Sequence, residues 1–315
     1  MTRPELRILY DVHGETPQRE WILERFTGYR GSQPVRIGNA AVQQLQLDVY
    51  GEVIDATTHF IRTGGSFDRE TQRMLCAFGD YVCRNWQRPD EGIWESRSGR
   101  AHHTYSRVMC WVALERLLAL HEKGHLAGAP FSEFAKQRDR IRREVEDHCW
   151  NAGLQTYVAD RGGTTVDASL LLLPWYGFEP ASSPRMRRTY ARIRQHLGTD
   201  RNLLYRYRGG ESPGEGAFGI CGFWGVEFLA LGGGSVAEAQ DAFNELLTYG
   251  NDLGLFAEEI DPHTRDALGN FPQAFTHVGL INAALSIAHR QHGREPREHG
   301  MRQPTAPAAA AGSRL

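Results

Sequence analysis

The sequence has almost no net charge: 36 Lys and Arg stand against 38 Asp and Glu in 315 residues, for a formal charge of −2. Without excess positive charge there is no electrostatic footprint for a nucleic-acid partner. The one conspicuous basic run, "KQRDRIRRE" (136–144), alternates with acids at helical spacing and reads as a solvated helix face. Long apolar runs are missing as well. No stretch approaches the ~18 residues of a membrane span, and the opening "MTRPELRILYDVHGE" has no apolar core of signal-peptide length. Cysteine is sparse, with Cys76, Cys83, Cys110, Cys149 and Cys221 far apart and no CxxC or Cys/His cluster for zinc. Buried, reduced thiols in a cytoplasmic compartment are the expectation. There is no series of alternating strands and no fixed repeat period, which argues against β-architectures and solenoids. A phosphate-cradling glycine loop, a metal cage and a Ser-His-Asp signature are also missing, so no metal or other cofactor is expected.

What is present is helix of two kinds. Segments 39–61, 105–120, 166–173, 217–230 and 274–289 are apolar on most sides. Segments 18–26, 67–86, 131–149, 184–196 and 235–249 are one-sided, with apolar residues returning every three or four positions, as in Leu75, Phe78 and Val82. Apolar helices belong inside and one-sided helices cover a surface, so their alternation predicts an all-α fold, an α/α barrel with about five inner and five outer helices. The expected domain is 1–290. Residues 291–315, rich in Pro, Ala, Gly and charge, read as a disordered tail.

Each inner helix follows a loop dense in glycine and polar residues, and these loops would gather at one mouth. They offer carboxylates (Asp90, Glu91, Glu95, Glu211, Glu215, Glu258, Glu259, Asp261), arginines (Arg36, Arg97, Arg206, Arg208) and rings (Trp94, Tyr205, Tyr207, Phe218). Such a mixture suits a polyhydroxylated substrate, whose C–H faces stack on rings and whose hydroxyls bond to charged groups. Cleaving a glycosidic bond requires one protonated and one ionised carboxyl. Glu95, beside Trp94 in the turn-rich stretch "RPDEGIWESRSGRAHHTYS", suits the acid if the indole desolvates it. Either Glu258 or Glu259 suits the base.

The motifs "GIWE", "HHTYSRVMCWVALERLL", "GYRGSQPVRIGNAAVQQLQLDVYGEVIDA", "LYRYRGG…GEGAFGICGFWGVEFLAL" and "LGLFAEEIDPHTRDALGNFPQAFTHVGLINAA" together resemble glycoside hydrolase family 15. This is the family of glucoamylases, glucodextranases and one type of bacterial and archaeal trehalase, and the resemblance runs from about Leu6 to about His289. It implies an (α/α)6 barrel, a six-hairpin toroid, that hydrolyses α-glucosides with inversion and releases glucose from a non-reducing end. It implies Glu95 as general acid and Glu258, the first Glu of "AEEID", as general base, roughly 6.5–9.5 Å apart; Glu259 is then the base's neighbour. By the same resemblance Arg206 binds the glucose at the cleavage site, the alternative being a surface ion pair with Glu211 or Glu215. Trp94 matches a residue lining that subsite, and Arg36 and Asn39 match a loop bordering the next. His102 either orients the acid loop or caps a helix. Phe218 stands where fungal glucoamylases carry a tryptophan, and Ser96 replaces their second acid. A β-sandwich and a Trp-x-Arg-Asp segment of bacterial members have no counterpart, so the expected barrel is truncated by about one hairpin. The implied partners are an oligosaccharide or disaccharide and a complementary chain carrying the missing half; the alternative is an inactive remnant.

Overall fold

The computed structural model describes residues 5–16, 20–95, 99–207 and 215–293. Eight α-helices carry these residues: α1 (Asp48–Arg62), α2 (Arg69–Asn85), α3 (Thr104–Glu122), α4 (Phe131–His148), α5 (Pro184–Leu197), α6 (Gly219–Phe228), α7 (Val236–Leu247) and α8 (Ala274–Gln291). The expected all-α architecture is what the chain adopts. The tail expected at 291–315 lies outside the described residues from 294 onward.

Burial follows the two kinds of helix. In α3 an unbroken run from Thr104 to Leu114 is buried, and in α6 every residue but Ile220 is. A helix enclosed on all sides has no polar stripe to show, which is why these two lack amphipathic character. By contrast α2 buries only Leu75, Phe78, Gly79 and Val82, and α5 only Met186, Thr189, Ile193 and Leu197. The inner elements follow one another side by side: α1 on α3, α3 on a short 3-10 helix at Ala168–Leu172, that turn on α6, and α6 on α8. Around them α2 and α4 cover α3, α5 covers the 168–172 turn, and α7 covers α6 and α8. The outer helices start where the sequence says they should. Asp68 and Ser183 accept N-terminal N–H groups, Pro184 takes the first turn of α5, and Ser235 with Glu238 forms a reciprocal capping box on α7.

Where α1 crosses α3, a Cβ on Gly51 would collide with the Met109 carbonyl, so only glycine permits that approach. One face of α8 stays open: Phe275 is 69%, Val278 51%, Ile281 55% and Leu285 53% exposed.

Three expected helices differ. The outer helix expected over 18–26 is not formed in residues 20–26; residues 18 and 19 lie outside the described residues. Instead Trp21–Ile22 forms strand β1, paired antiparallel with β2 (Arg36–Ile37). Trp21, Ile22 and Phe26 remain 53%, 54% and 47% exposed, and a helix this short without a buried face is not stable. The helix expected over 39–61 is regular only from Asp48. Ala40–Gln43 is 3-10, and the N–H groups of Leu45 and Leu47 go to the side chains of Glu91 and Asp90 instead of to carbonyls one turn back. Segment 166–173 is a single 3-10 stretch, followed by tight turns through Pro174 and Gly177.

Two deeply buried acids give the fold a pH dependence. Asp48, 4% exposed with Oδ1 unpartnered, is pushed from 3.8 up to about 8, by burial first and then by Asp90 and Glu52. Glu227, whose Oε1 accepts from Ser286 Oγ at 3.2 Å, is likewise raised to about 8 by burial. A raised carboxyl pKa means that the folded state holds the proton while the unfolded chain has lost it. This contribution to stability is complete below about pH 4 and is lost as pH rises to about 8. Asp48→Asn is expected to flatten the decline in urea-unfolding free energy between pH 5 and 8 by a few kcal/mol; an unchanged slope rejects the assignment.

Candidate active site

Asp90 and Ala101 pair as the isolated rungs of a loop whose tip carries Trp94 and Glu95. Glu95 has φ of 53°, a left-handed conformation unusual for a side chain of this size. The turn sends the two side chains apart. The Trp94 indole N–H donates to Asp167 Oδ2 at 2.7 Å, and its ring meets those of Phe218 and Trp224 at 5.8 Å each. Glu95 lies exposed, its Oε2 accepting from Asn39 Nδ2 at 3.1 Å and its carbonyl from Gln44 Nε2 at 3.2 Å. The indole therefore does not bury the neighbouring carboxylate as expected, because its faces and its N–H are taken by α6, Phe218 and Asp167.

Across the mouth, Ala217–Phe218 (β5), Glu259–Ile260 (β6) and Ala267–Leu268 (β7) form a small antiparallel sheet with Phe218 opposite Glu259. The N–H of Gly219 donates to the Glu258 carbonyl at 3.0 Å. The residue that meets the acid-loop indole is thus also the register partner of the base candidates' strand. Glu258 Oε2 accepts two bonds from Asn270, backbone N–H and side-chain Nδ2, each at 2.9 Å. Gly269, at φ of 68°, brings the chain so close that a Cβ there would reach Glu258 Oε2 at 2.7 Å. Among the described residues Glu258 Oε1 has no hydrogen-bond partner. Glu259 is committed elsewhere: its Oε2 accepts from Gly216 N–H at 2.8 Å, and burial, with the charges of Glu215 and Glu258, raises its pKa against the pull of that N–H and Arg206.

Arg206 sits between the two sides. Its guanidinium lies 4.9 Å from the Phe218 ring, 4.8 Å from Tyr207 and 5.8 Å from Trp94, and it donates to the Trp94 carbonyl at 3.4 Å. It also pairs with Glu215 at 2.5 Å, one of the two ion-pair partners expected; the other, Glu211, lies outside the described residues, as do Ser96, Arg97 and Arg208. Its Nε is buried and has no hydrogen-bond partner among the described residues. Arg36 pairs with Glu20 at 3.2 Å in the β1–β2 segment. Asn39, as N-cap of the 40–43 turn, bonds Ala41 N–H through Oδ1 while its amide reaches Glu95. His102 Nδ1 lies 2.7 Å from Arg107, and burial with Arg107 and Arg161 lowers its pKa.

Asp167 and Trp224 escape the sequence reading. Asp167 caps the 168–172 turn through Ser169 N–H at 2.7 Å, so the "DAS" capping pattern was the available signal. Beneath the acid loop lies a cavity of about 180 Å³ lined by Trp94, His103, Tyr105, Asp160, Asp167 and Tyr207.

The same arrangement of helices occurs in solved structures. A glycosidase variant in complex with glucose superposes with a TM-score of 0.66 at 21% identity over 82% of this chain and 72% of that one. A bacterial glucoamylase complexed with acarbose gives 0.63 at 14% identity, over 78% and 41%. The fold is that of the (α/α)6 barrel enzymes. Residues 2–231 and 234–285 match the family model "Glycosyl hydrolases family 15", and the chain belongs to that family. Among its relatives are a trehalase of Thermoplasma volcanium, 36% identical over 90% of this chain, and a trehalase of Mycobacterium tuberculosis, 36% identical over 96%. The chain spans about half the length of these curated relatives, 45% and 44% respectively. Among the described residues no helix is long and apolar enough to cross a membrane.

Proposed function

We propose that this chain acts in the cytoplasm as the catalytic part of an inverting exo-α-glucosidase, with trehalose its first substrate and glucoamylase-like maltooligosaccharide cleavage the second. The observation that supports the proposal is the setting of its two carboxylates: Glu95 is held by Asn39 on one loop, and Glu258 is held by Asn270 on another with Oε1 unpartnered among the described residues. Glu95 gives its proton to the glycosidic oxygen as the bond to the anomeric carbon breaks. Glu258 takes a proton from water, which attacks that carbon from the opposite face and leaves β-glucose. Arg206 and Trp94 hold the glucose unit, Arg36 and Asn39 border the next subsite, Glu259 stands beside the base, and His102 orients the acid loop. The trehalase relatives support the first choice of substrate. Incubating the purified chain with trehalose, maltose, isomaltose and starch, and following the first anomer by NMR, tests the reading. From maltose, isomaltose and starch the glucose released from the non-reducing end is expected as the β-anomer, and from trehalose β-glucose and α-glucose are expected in equal amounts, the α-anomer being the leaving group. Initial formation of α-glucose alone from trehalose refutes inversion, and inertness toward all four sugars refutes autonomous activity.

The open face of α8 favours a second reading, a subunit that works with a complementary polypeptide seated on Phe275, Val278, Ile281 and Leu285. Hydrolysis that emerges only on co-expression with the N-terminal half of a curated relative supports it; inertness even then leaves the inactive remnant.

A further inference from the structure

Residues 20–44 lie outside the two helical layers yet touch both sides of the mouth. On the acid side Asn39 holds the Glu95 carboxylate at 3.1 Å and Gln44 holds its carbonyl at 3.2 Å. On the base side the Arg30 guanidinium grips Asp266 with both ends of its fork, NH1 to Oδ2 at 2.5 Å and NH2 to Oδ1 at 3.0 Å. Asp266 immediately precedes β7, which pairs with β6, and β6 begins one residue after Glu258. Between these ends the segment is braced internally. β1 pairs with β2, Leu23 N–H donates to the Val35 carbonyl at 2.8 Å, and Glu20 bonds both Arg36 at 3.2 Å and Ala40 N–H at 3.2 Å.

Glu95 needs such support. A left-handed φ at a non-glycine residue persists only where its surroundings fix it, and the bond from Glu95 N–H back to Gly92 is long at 3.4 Å. We propose that residues 20–44 form a strap that positions Glu95 against the Glu258 hairpin, gripping the acid through Asn39 and Gln44 and anchored at the far end by Arg30 and Asp266. The inference rests on the catalytic roles proposed above, and it adds that the separation of the two carboxyls, which decides between inversion and retention, is set by a segment that is not part of the barrel. Asn39 and Arg30 are positioning residues in this sense. The Arg30 anchor is exposed, so it weakens with salt.

Hydrogen exchange read by mass spectrometry on the full chain tests the strap independently of activity. Arg30→Ala is expected to speed exchange in residues 21–37 and also in the acid loop 90–95 by about two- to fivefold, the range open to an exposed pair, with α3 unchanged as the control for global unfolding. Arg30→Asp combined with Asp266→Arg restores protection, and Asn39→Ala loosens 90–95 while sparing the Arg30 end. In a chain that hydrolyses a sugar, Asn39→Ala lowers kcat about tenfold with KM within twofold, as for a displaced catalytic group. If exchange in 90–95 is the same in wild type, Arg30→Ala and Asn39→Ala, there is no strap. A wild-type chain that hydrolyses nothing overturns the proposed function, and the exchange data still decide the strap.

Discussion

Glu258→Gln is expected to lower the proposed sugar hydrolysis by roughly 10²–10⁴-fold while leaving the fold intact, the range for removal of a general acid or base. The replacement is nearly isosteric. The glutamine oxygen can still accept both N–H groups of Asn270, so the close approach at Gly269 and the β6–β7 pairing have no reason to move. What disappears is the capacity to take a proton from water. Glu95→Gln has the same consequence by the opposite route, since an amide can still accept from Asn39 Nδ2 but has no acidic proton for the leaving oxygen. The comparison with Glu259→Gln is the discriminating one. Glu259 is bound to Gly216 N–H and sits beside Arg206 and Glu215, so its loss should weaken substrate binding more than turnover. Rates measured with matched circular-dichroism spectra check all three. Near-wild-type kcat in Glu258→Gln, with a large loss in Glu259→Gln, would reassign the base to its neighbour.

Asp55→Ala destabilises the protein by about 3–5 kcal/mol, the cost of stranding a buried charge. Arg116 is the largest side chain buried to this degree, its side chain 1% exposed. It reaches from α3 to Asp55 on α1, Nε to Oδ1 at 2.6 Å, and to the Tyr176 carbonyl at 3.0 Å. Removal of Asp55 leaves a guanidinium in the core with that one carbonyl. The same three elements hold Glu52, whose two oxygens accept from Tyr105 at 2.6 Å and Tyr176 at 2.8 Å. The pair therefore ties together α1, α3 and the chain after the 168–172 turn. Replacing both partners with apolar residues, Asp55→Leu with Arg116→Met, is expected to recover most of the loss, because an uncharged core no longer needs the pair. Urea denaturation of the single and double variants measures this. A loss under about 1 kcal/mol for Asp55→Ala would show that water reaches Arg116 and that the pair is not dry.

Much of the molecule was legible because its signals are local. A helix such as α3, apolar all round, has no orientation that leaves it at the surface, and α2 with its single stripe has no orientation that hides it. Capping residues fixed where α5 and α7 begin. Where the reading failed, distant groups had displaced local preference. Residues 44–47 look helical in isolation, but Glu91 and Asp90 claim the N–H groups of Leu45 and Leu47 from more than forty positions away. Segment 18–26 is amphipathic enough for a helix, yet Trp21, Ile22 and Phe26 stay exposed, and Trp21 and Ile22 pair with β2 instead.

The catalytic candidates divide in the same way. Which carboxylates to consider, and the turn that carries Glu95 beside Trp94, follow from residue type and spacing along the chain. Their environments do not. The donor on Glu95 is Asn39, 56 positions away, and the partner of the Trp94 indole is Asp167, 73 positions away. Adjacent residues in a tight turn point to different neighbours, so nearness in sequence suggested a buried acid where the structure has an exposed one. Sequence by itself determined the all-α class, the layering of the helices and the identity of the mouth loops, because burial periodicity and turn chemistry act over a few residues. Tertiary structure alone decided which amide holds which carboxylate and what crosses the mouth, because hydrogen bonds between side chains form only after the backbone has brought distant loops within about 3 Å of one another.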